Sequence, residues 1–414
     1  MKLRRVVVTG IGALTPLGNN VADYWDGLVT GTNGVGLITR FDASEYRTHF
    51  ACELKNFDIS KFLDNKDARK MDECSRYAIA AAVEAMTDAG LAPGTYNPDR
   101  AGVIVGSGIG GVTTAAADIV EFVKDGEHPR FSPFFIIKSL SNMIAGNLSI
   151  RFDLQGPSYT TSSACTSAAV ALWDACNFIR SGQCDLMLTG GAEAGISTIG
   201  IGGFNAMRAL STRNDDMFTA SRPFSVGRDG FVMGEGSGML VVEEYEHAVK
   251  RGARIYAEIS GIGITSDAFH ITHPRPEGDG AMKAMRLALQ EAEVGVDEIL
   301  HINTHGTSTP QGDTAECAAI KNLFGAHADG IFYNSTKSMT GHLLGASTAI
   351  ESIATILELQ SGVIHPTINY MGRDPELPDW NFCIYGPVEC KMEYALCNAF
   401  GFGGHNASIL FKKI

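Results

Sequence analysis

The sequence has little charge, and most of that charge is negative. Charged residues make up 19% of the 414 residues, and the formal net charge is −13. Disordered chains and coiled coils carry far more charge, and a surface that binds nucleic acid is basic, so these classes are excluded. No uninterrupted apolar run reaches the roughly 18–20 residues that a membrane-spanning helix requires. We therefore expect a cytoplasmic protein that binds neither nucleic acid nor membranes.

Paired cysteine motifs are also absent. The nine cysteines are an odd number and contain no Cys-x-x-Cys pair, which argues against a disulfide or zinc framework. Residues 1–20 combine basic and apolar residues as a secretory signal does, but Val6–Val8 favour a buried strand, and Pro16 stands where a cleavage site would be needed. The sequence thus predicts a reduced, intracellular chain that begins with a strand and holds no metal.

Glycine, by contrast, is abundant, and strand patterns alternate with helix patterns along the whole chain. At 414 residues the chain exceeds what one hydrophobic core usually serves, so two domains or one duplicated body are expected. The alternation indicates an α/β fold with largely parallel sheets. The clearest predicted strands are 5–9, 102–106, 186–189, 238–243, 257–262, 299–304 and 407–411, and the clearest helices are 75–89, 167–181, 280–292, 313–324 and 343–359.

The two halves of the chain have similar patterns. In the first half a predicted strand ends at 160–165 and is followed by a helix of small and apolar residues. In the second half, residues 333–337 lead through a glycine turn into another such helix. The charged stretch 243–254 is the best boundary between them. We therefore expect a duplicated βαβ body divided into residues 1–250 and 251–414.

Cys165 is the candidate nucleophile among the nine cysteines. It lies in TTSSACTSAAVALWDA, where a polar strand end meets the start of a helix. The first-turn amides and the dipole of that helix would favour a thiolate and lower the pKa of Cys165. Free cysteines are more often packing residues, and we assign that role to Cys176, Cys184, Cys317 and Cys383.

Two histidines and a lysine are candidates for handling protons beside this thiolate. His305 directly follows the predicted strand 299–304 and would project into the crevice where α/β sheets bind ligands. His342 should open a helix, whose N-terminus would keep the imidazole neutral and able to donate a hydrogen bond to an oxyanion. Lys337, shortly before His342, would keep both histidines uncharged and could pair with Glu316.

Two glycine-rich runs need a separate explanation. The segment NAFGFGGHN, residues 398–406, predicts a mobile loop that can move an aromatic side chain and present backbone N–H groups. No helix with the Lys-Ser/Thr pattern of a P-loop follows it. The run GSGIGG at residues 106–111 resembles a dinucleotide fingerprint, but a lone match of that kind is a weak signal. Neither run therefore indicates a nucleotide cofactor.

Motifs spread over the whole chain resemble those of the elongating β-ketoacyl-acyl carrier protein synthases, and most closely those of the synthase II group. They are SSACTSA around Cys165, THGTSTPQGD around His305, KSMTGH with Lys337 and His342, and the GFGGHN loop. The likeness runs essentially from end to end, from VVVTGIGALTPLG through RALSTRND and SRPF to that loop.

The resemblance implies the thiolase-like fold, in which two similar α/β halves stack as α-β-α-β-α layers. It implies a decarboxylative Claisen condensation in fatty acid synthesis, in which malonyl carrier protein lengthens an acyl thioester held on Cys165. By this likeness His305 and His342 stabilise the malonyl-derived oxyanion. The N–H groups of Cys165 and Phe402 bind the acyl-transfer oxyanion, and the Phe402 ring blocks malonyl entry until Cys165 is acylated.

The resemblance also implies partners and binding residues. The partner is acyl carrier protein, whose phosphopantetheine arm carries the substrates without a further cofactor, and the family normally forms homodimers. Expected substrate-site residues are Thr307 and Thr309 on the arm, Ile109 and Phe204 in the acyl pocket, and Glu316. Because carrier proteins are acidic, the expected docking residues are basic: Lys66, Arg69 and Lys70, at spacings that share one helix face, with Arg130 and Arg208.

Several alternatives are weighed against this interpretation. A thiolase would need a second cysteine in a Cys-x-Gly turn, but Ala399 replaces that glycine after Cys397. Initiating synthases and plant-type polyketide synthases would have Asn at His342, a Cys-His hydrolase would not use the second histidine and the lysine, and chain-length factors lack the cysteine. The main alternative is a ketosynthase of a polyketide or other secondary pathway. His405, where many bacterial relatives have threonine, leaves chain-length preference open.

Overall fold

The computed structural model describes residues 3–414, which form fourteen β-strands and thirteen α-helices. The strands are β1 (Val6–Leu14), β2 (Gly36–Leu37), β3 (Phe50–Ala51), β4 (Ala101–Gly106), β5 (Ser158–Thr161), β6 (Leu186–Glu193), β7 (Gly236–Glu244), β8 (Ala257–Ser266), β9 (Ile299–Asn303), β10 (Phe332–Asn334), β11 (Val363–Ile364), β12 (Val388–Glu389), β13 (Tyr394–Gly401) and β14 (His405–Lys412). The helices are α1 (Val21–Thr30), α2 (Asn65–Ala68), α3 (Glu73–Asp88), α4 (Val112–Lys124), α5 (Phe135–Ser139), α6 (Met143–Phe152), α7 (Ser167–Arg180), α8 (Thr198–Ala206), α9 (Tyr245–Lys250), α10 (Asp279–Ala292), α11 (Pro310–Phe324), α12 (Lys337–Thr340) and α13 (Ser347–Ser361).

Ten strands form one sheet in the order β10-β9-β13-β14-β8-β1-β7-β6-β4-β5. Each end of this order begins with a parallel pair, β4 with β5 and β9 with β10, and continues with a parallel strand, β6 or β13. Two antiparallel steps then follow on each side, and β1 pairs with β8, also antiparallel, where the two halves meet. The sheet is therefore mixed, and the prediction of largely parallel sheets is wrong. The same five-strand pattern therefore occurs twice, which confirms the predicted duplication.

Helices cover both halves of this sheet and also fill the space between them. The helices α7 and α13 pack against each other and against strands of both halves, whereas α3 packs on β1, β6 and β7, and α10 packs on β8 and β14. The close approach of α7 to the sheet requires glycine, because a Cβ on Gly106 would lie 2.3 Å from the backbone nitrogen of Ala168. The order of layers is thus α-β-α-β-α, as predicted.

The predicted elements occur where the hydrophobic pattern placed them. All nine residues of β1 are buried, and the helix predicted at 280–292 is α10. All nine cysteines are buried, and none is paired with another. Among residues 3–414, no helix combines the length and the apolar character that a bilayer crossing requires.

Candidate active site

The candidate nucleophile, Cys165, lies in a 3-10 turn between β5 and α7. Ala164 precedes it with a left-handed φ of 52°, which turns the chain sharply at a small residue. The N–H of Ser163 donates a hydrogen bond to Oγ of Ser167 over 2.9 Å and holds the turn. Cys165 is 8% exposed, so its sulfur is largely removed from solvent. The predicted position at a strand-to-helix junction is therefore found.

The charge state predicted for Cys165 is wrong. Its pKa is raised to about 11, chiefly because burial penalises the thiolate. The ammonium of Lys337 and the backbone N–H groups of Phe402 and Cys165 lower the pKa, but they do not outweigh burial. Helix α7 begins only at Ser167, so the sulfur lies before its first turn. Desolvation, which sequence reasoning could not evaluate, therefore dominates.

His342 lies against the sulfur, with Nε2 3.0 Å from Sγ of Cys165. It does not open a helix, as we had predicted, but forms an isolated β-bridge with Met233, ahead of a 3-10 turn at Leu344–Ala346. Its pKa lies well below the usual value, first because of burial and then because of Lys337. The imidazole is therefore neutral, as predicted, but the cause is desolvation and not a helix N-terminus.

His305 follows β9, and its ring lies at 84° to that of His342, with the centroids 5.5 Å apart. Its backbone N–H donates to Oε1 of Glu316, and the N–H of Gly306 donates to Oε2, both over 2.9 Å. Burial is the main reason why the pKa of His305 lies well below its usual value, and Lys337 and His342 add to this effect. His305 is therefore a second neutral imidazole beside Cys165.

The lysine of the site has a different partner from the one predicted. Nζ of Lys337 lies 2.5 Å from Oε1 of Glu351, and the side chains are 1% and 0% exposed. Glu316 instead accepts backbone N–H groups at His305, so the predicted pairing of Lys337 with Glu316 is wrong. The buried ammonium still lowers the pKa of both imidazoles, as the sequence analysis expected.

One cavity of about 720 Å³ connects these groups with the predicted substrate residues. Its wall includes Cys165, His305, His342, Phe402, Thr307, Thr309, Ile109, Phe204, Glu316 and Arg208. The hydroxyls of Thr307 and Thr309 lie 2.9 Å apart. Cys397, which a thiolase would require in the site, is buried in β13 and is absent from this wall. The cavity thus gathers the residues that the sequence assigned to catalysis and substrate binding, except Lys337, which does not line it but is close enough to lower the pKa of Cys165.

The loop predicted at 398–406 is shorter than expected, because residues 398–401 end β13 and residues 405–406 begin β14. A 3-10 turn at Phe402–Gly404 joins the two strands and brings an aromatic ring and a backbone amide to the sulfur of Cys165. A Cβ on Gly401 would lie 3.1 Å from the backbone nitrogen of Cys165, a tight contact that favours glycine at this position. Gly403 has a φ of 82°, in the region that glycine adopts without strain. The ring of Phe402 lies 6.5 Å from that of Phe204, so the loop also forms part of the predicted acyl pocket.

The side chains of Cys165, His305 and His342 have a spacing that is compatible with a metal ion. The sulfur of Cys165 and one nitrogen each of His305 and His342 lie within 4.8 Å of one another, the one such cluster in the part of the chain that the structure describes. The Lys337 ammonium, close enough to lower the pKa of all three groups, would oppose a bound cation. The arrangement therefore suits a nucleophile with two hydrogen-bond donors better than a metal centre.

The basic residues predicted for docking are all at least partly exposed: Lys66, Arg69, Lys70, Arg130 and Arg208. Helix α2 ends at Ala68, so the first three do not share one helix face, and that part of the prediction is wrong. Nζ of Lys70 is also occupied, 2.5 Å from Oδ1 of Asp67. Lys66 and Arg69 are the two residues of this segment that remain available to a partner.

Sequence reasoning missed two buried carboxylates, Glu351 and Glu193. Glu351 is the partner of Lys337, and Glu193 accepts backbone N–H groups from the GSGIGG run. Both are fully buried. The available signal was an acidic residue within a largely apolar element: Glu193 ends the run LMLTGGAE, and Glu351 lies among the small and apolar residues of α13, which also contains Glu358.

Comparisons with known proteins agree with this architecture. Residues 3–248 match the family model "Beta-ketoacyl synthase, N-terminal domain", and residues 256–371 match "Beta-ketoacyl synthase, C-terminal domain". The chain is 45% identical over 416 residues to 3-oxoacyl-(acyl-carrier-protein) synthase 2 of Vibrio harveyi, with 100% of both chains covered. It is 47% identical over 410 residues to the protein of that name from Staphylococcus aureus (strain COL), with 99% of this chain and 98% of the relative covered.

A solved structure supports the fold in particular. AntDE:AntF, a type II PKS acyl-carrier protein in complex with its ketosynthase bound to the hexaketide, matches with a TM-score of 0.93 and 32% identity over 100% of both chains. The thiolase-like ketosynthase fold and the predicted resemblance are thereby confirmed. With family models that together span most of its length and relatives that match it from end to end, the chain belongs to the β-ketoacyl synthase family.

Proposed function

We propose that this protein is a condensing acyltransferase of fatty acid synthesis, which lengthens an acyl chain on Cys165 with malonyl-acyl carrier protein. The observation that carries the proposal is the 3.0 Å contact between Sγ of Cys165 and Nε2 of His342, in a cavity that His305 also lines. The sequence is 45–47% identical to the two relatives named 3-oxoacyl-(acyl-carrier-protein) synthase 2, but 32% identical to the polyketide ketosynthase. This difference favours fatty acid elongation over a polyketide pathway.

The first step transfers the acyl group to the enzyme. The sulfur of Cys165 attacks the thioester carbonyl, a carbon–sulfur bond forms, and the bond to the carrier arm breaks. The thiol proton ends on the departing arm sulfur. The backbone N–H groups of Cys165 and Phe402, which hydrogen-bond to the sulfur, stabilise the negative oxygen of the intermediate. A single donor of this kind contributes about 3–4 kcal/mol to lowering such a barrier.

The second step uses the two imidazoles. The malonyl carbon–carboxylate bond breaks, carbon dioxide leaves, and the electron pair forms an enolate on the thioester. His305 and His342 donate hydrogen bonds to its oxygen. They remain neutral donors because burial and Lys337 keep both pKa values low. The enolate carbon then attacks the acyl carbonyl, the bond to sulfur breaks, and Cys165 is released as a thiolate.

Acyl carrier protein is the proposed partner, and its phosphopantetheine arm is the proposed occupant of the cavity. Thr307 and Thr309 present hydroxyls to that arm, and Arg208 lines the same cavity while remaining exposed. Exposed basic residues attract an acidic partner on a body with a net charge of −13. The similar ketosynthase AntDE:AntF was solved with its acyl-carrier protein, which supports a partner of this kind.

A second copy of the chain is the proposed neighbour of helices α4 and α5. The segment that contains them exposes large apolar side chains: Val112, Ile119, Val120, Val123, Phe131, Ile136, Ile137 and Leu140. Strand β5 is the last strand of the ten-stranded sheet, so one of its edges is open to pairing. An exposed apolar patch beside an open sheet edge favours association with another copy, and we expect a homodimer in solution.

We place the division between the two halves at residues 250 and 251. Helix α9 ends at Lys250, and β8, which starts the second five-strand pattern, begins at Ala257. The first part carries Cys165, and the second carries His305 and His342. A functional site therefore requires both parts.

Replacement of the nucleophile tests the proposed reaction. Purified protein is incubated with acyl- and malonyl-acyl carrier protein, and the products are identified by mass spectrometry. We expect Cys165→Ala to form no β-ketoacyl product. Cys176→Ala is the matched control, because Cys176 is a buried cysteine of α7 that does not line the cavity, and it should keep the activity. Product formation by Cys165→Ala at the rate of the control would refute the mechanism.

Reversal of surface charge tests the docking site. Lys66→Glu combined with Arg69→Glu should raise the KM for carrier protein, most strongly at low salt, because screening weakens exposed charges. Lys391→Glu with Lys413→Glu makes the same change in net charge at two exposed lysines beside a different surface depression. An equal rise in KM for both double variants would show that net charge, and not this docking site, is responsible.

A further inference from the structure

The carboxylate of Glu193 joins two separate segments beside the cavity. Its Oε2 accepts N–H groups from Gly108 over 2.7 Å and from Gly345 over 3.0 Å. Its Oε1 accepts the N–H of Ile109 over 3.3 Å and the hydroxyl of Ser107 over 3.2 Å. The GSGIGG run, whose sequence resembles a phosphate-binding loop, therefore binds a carboxylate of its own chain.

The two segments meet at this carboxylate without room for further atoms. A Cβ on Gly108 would lie 2.9 Å from Oε2 of Glu193, and a Cβ on Gly345 would lie 2.2 Å from the backbone nitrogen of Gly108. Gly108 follows β4 in the first half of the sheet, whereas Gly345 lies in the 3-10 turn before α13 in the second half. Glu193 thus connects the two halves at the active site.

The residues next to these two glycines form part of the cavity wall. Ile109 follows Gly108, Leu344 precedes Gly345, and both line the cavity together with Cys165. The Cδ1 atoms of Ile109 and Leu344 each lie 3.3 Å from the same point, the Cβ position built on Gly195. The two side chains therefore both lie against Gly195, within one hydrophobic cluster, and form an apolar part of the cavity wall. An acyl chain that extends from Cys165 toward these two side chains has to displace one of them once it is long enough, whereas a short chain does not.

We propose that Glu193 is a positioning residue that restricts acyl-chain length: its ionised carboxylate fixes the backbone at Ile109 and Leu344 and so holds the cavity wall closed. The proposal rests on the proposed function of Cys165 as the acyl carrier. A proton on this carboxylate would bind Oε1, because Oε2 already accepts the two shorter N–H bonds. Ser107 can then accept that proton through its hydroxyl, but the N–H of Ile109 loses its acceptor. Ile109 is thereby freed to move.

The ionisation of Glu193 changes within an accessible pH range. Burial raises its pKa to about 7, although the backbone N–H groups and Ser107 lower it. The titratable groups that face it are Cys165 and, from α3, Cys74, with Asp72 beside Cys74. Burial raises the pKa of both thiols, so they stay neutral near pH 7. Between about pH 6 and about pH 8, the ionised fraction of Glu193 rises about tenfold.

The test compares rates of Cys165 acylation by long and short acyl-carrier thioesters, measured by mass spectrometry in a single turnover. The ratio of the two rates cancels the titration of Cys165 itself. We expect the long-to-short ratio of the native protein to fall by up to about tenfold from pH 6 to pH 8, in line with the ionised fraction. Glu193→Gln, which lacks the charge and one acceptor oxygen, should give a high ratio that is independent of pH.

Glu84→Gln is the matched control. Glu84 also accepts two backbone N–H groups, from Ala13 over 2.9 Å and from Val21 over 2.8 Å, but it does not line the cavity. The long-to-short acylation ratio of Glu84→Gln should change with pH as that of the native protein does. A long-to-short acylation ratio of the native protein that is constant with pH overturns the proposal. Because this measurement uses the native protein alone, it tests the proposal even if Glu193→Gln fails to fold. A Glu193→Gln ratio equal to the native one at both pH values also overturns it. Absence of any acylation of Cys165 refutes the proposed function itself, and the proposal with it.

Discussion

The buried pair of Lys337 and Glu351 allows stability and reactivity to be separated experimentally. Their charged atoms lie 2.5 Å apart, and both side chains are almost completely buried. Lys337→Met keeps the length of the side chain but leaves the Glu351 carboxylate unpaired. Loss of one member of such a pair lowers the free energy of unfolding by about 3–5 kcal/mol. Replacement of both by Met removes both charges, and a buried pair replaced by apolar residues of similar volume is often neutral or stabilising.

The reactivity of Cys165 should not recover in the variant with Met at both 337 and 351, even where the stability of the fold does. Lys337 lowers the pKa of Cys165 and of both imidazoles, and it is the largest contribution from a charged group to each of these three shifts. We therefore expect alkylation of Cys165 by iodoacetamide to be slow in Lys337→Met and equally slow in the Met–Met variant, because the thiolate is less favoured in both.

Two measurements on the native protein and the three variants check this prediction. Denaturant unfolding gives the free energies, with Glu351→Met as the second single variant of the cycle, and alkylation rates are followed by mass spectrometry. Destabilisation of the double variant by the sum of the two single effects would show that the charges are not coupled. Native alkylation rates in Lys337→Met would show that the ammonium does not favour the thiolate.

Three further predictions concern the site and its support. Because the pKa of Cys165 is raised to about 11, its thiolate fraction and its alkylation rate should rise about tenfold per pH unit from pH 7 to pH 9. A plateau of the alkylation rate near pH 8 would contradict this prediction. His342→Ala should slow carbon dioxide release from malonyl thioester by about 10²–10³-fold, and an unchanged rate would exclude its role as a donor. Gly12→Ala should destabilise the fold, because its Cβ would lie 2.0 Å from the carbonyl oxygen of Ala81. Gly36→Ala should not destabilise it, because no atom lies within 4 Å of the Cβ that it adds. Equal unfolding midpoints for the two variants would refute this reasoning.

The local pattern of apolar residues was sufficient to predict most of the helices and strands. The period of the apolar residues located α10 within one residue of its observed start, because a single element buries its own apolar face. It was insufficient for β13, which contains no β-branched residue in YALCNAFG. That strand exists because β9 and β14 pair with it on either side, and such pairing is a tertiary effect.

Electrostatic predictions failed where the result depended on packing. The sequence places both Glu316 and Glu351 on helices near the site, and only the packing of α11 and α13 decides that Glu351 faces Lys337 while Glu316 binds backbone N–H groups. The direction of the pKa shift of Cys165 was wrong for the same reason. The start of a helix is visible in the sequence, but the degree of burial that outweighs it is not.

The sequence by itself determined the chemical groups of this protein and their order: one thiol, two imidazoles, an ammonium and a glycine-rich loop, each recognisable because side-chain identity and local spacing are properties of the chain. The tertiary structure alone decided how these groups act. It brings Cys165 and His342 to 3.0 Å across a separation of 177 residues, and it buries the side chains of the site. Both distance and desolvation arise from contacts between the two halves, so no segment of the sequence contains them.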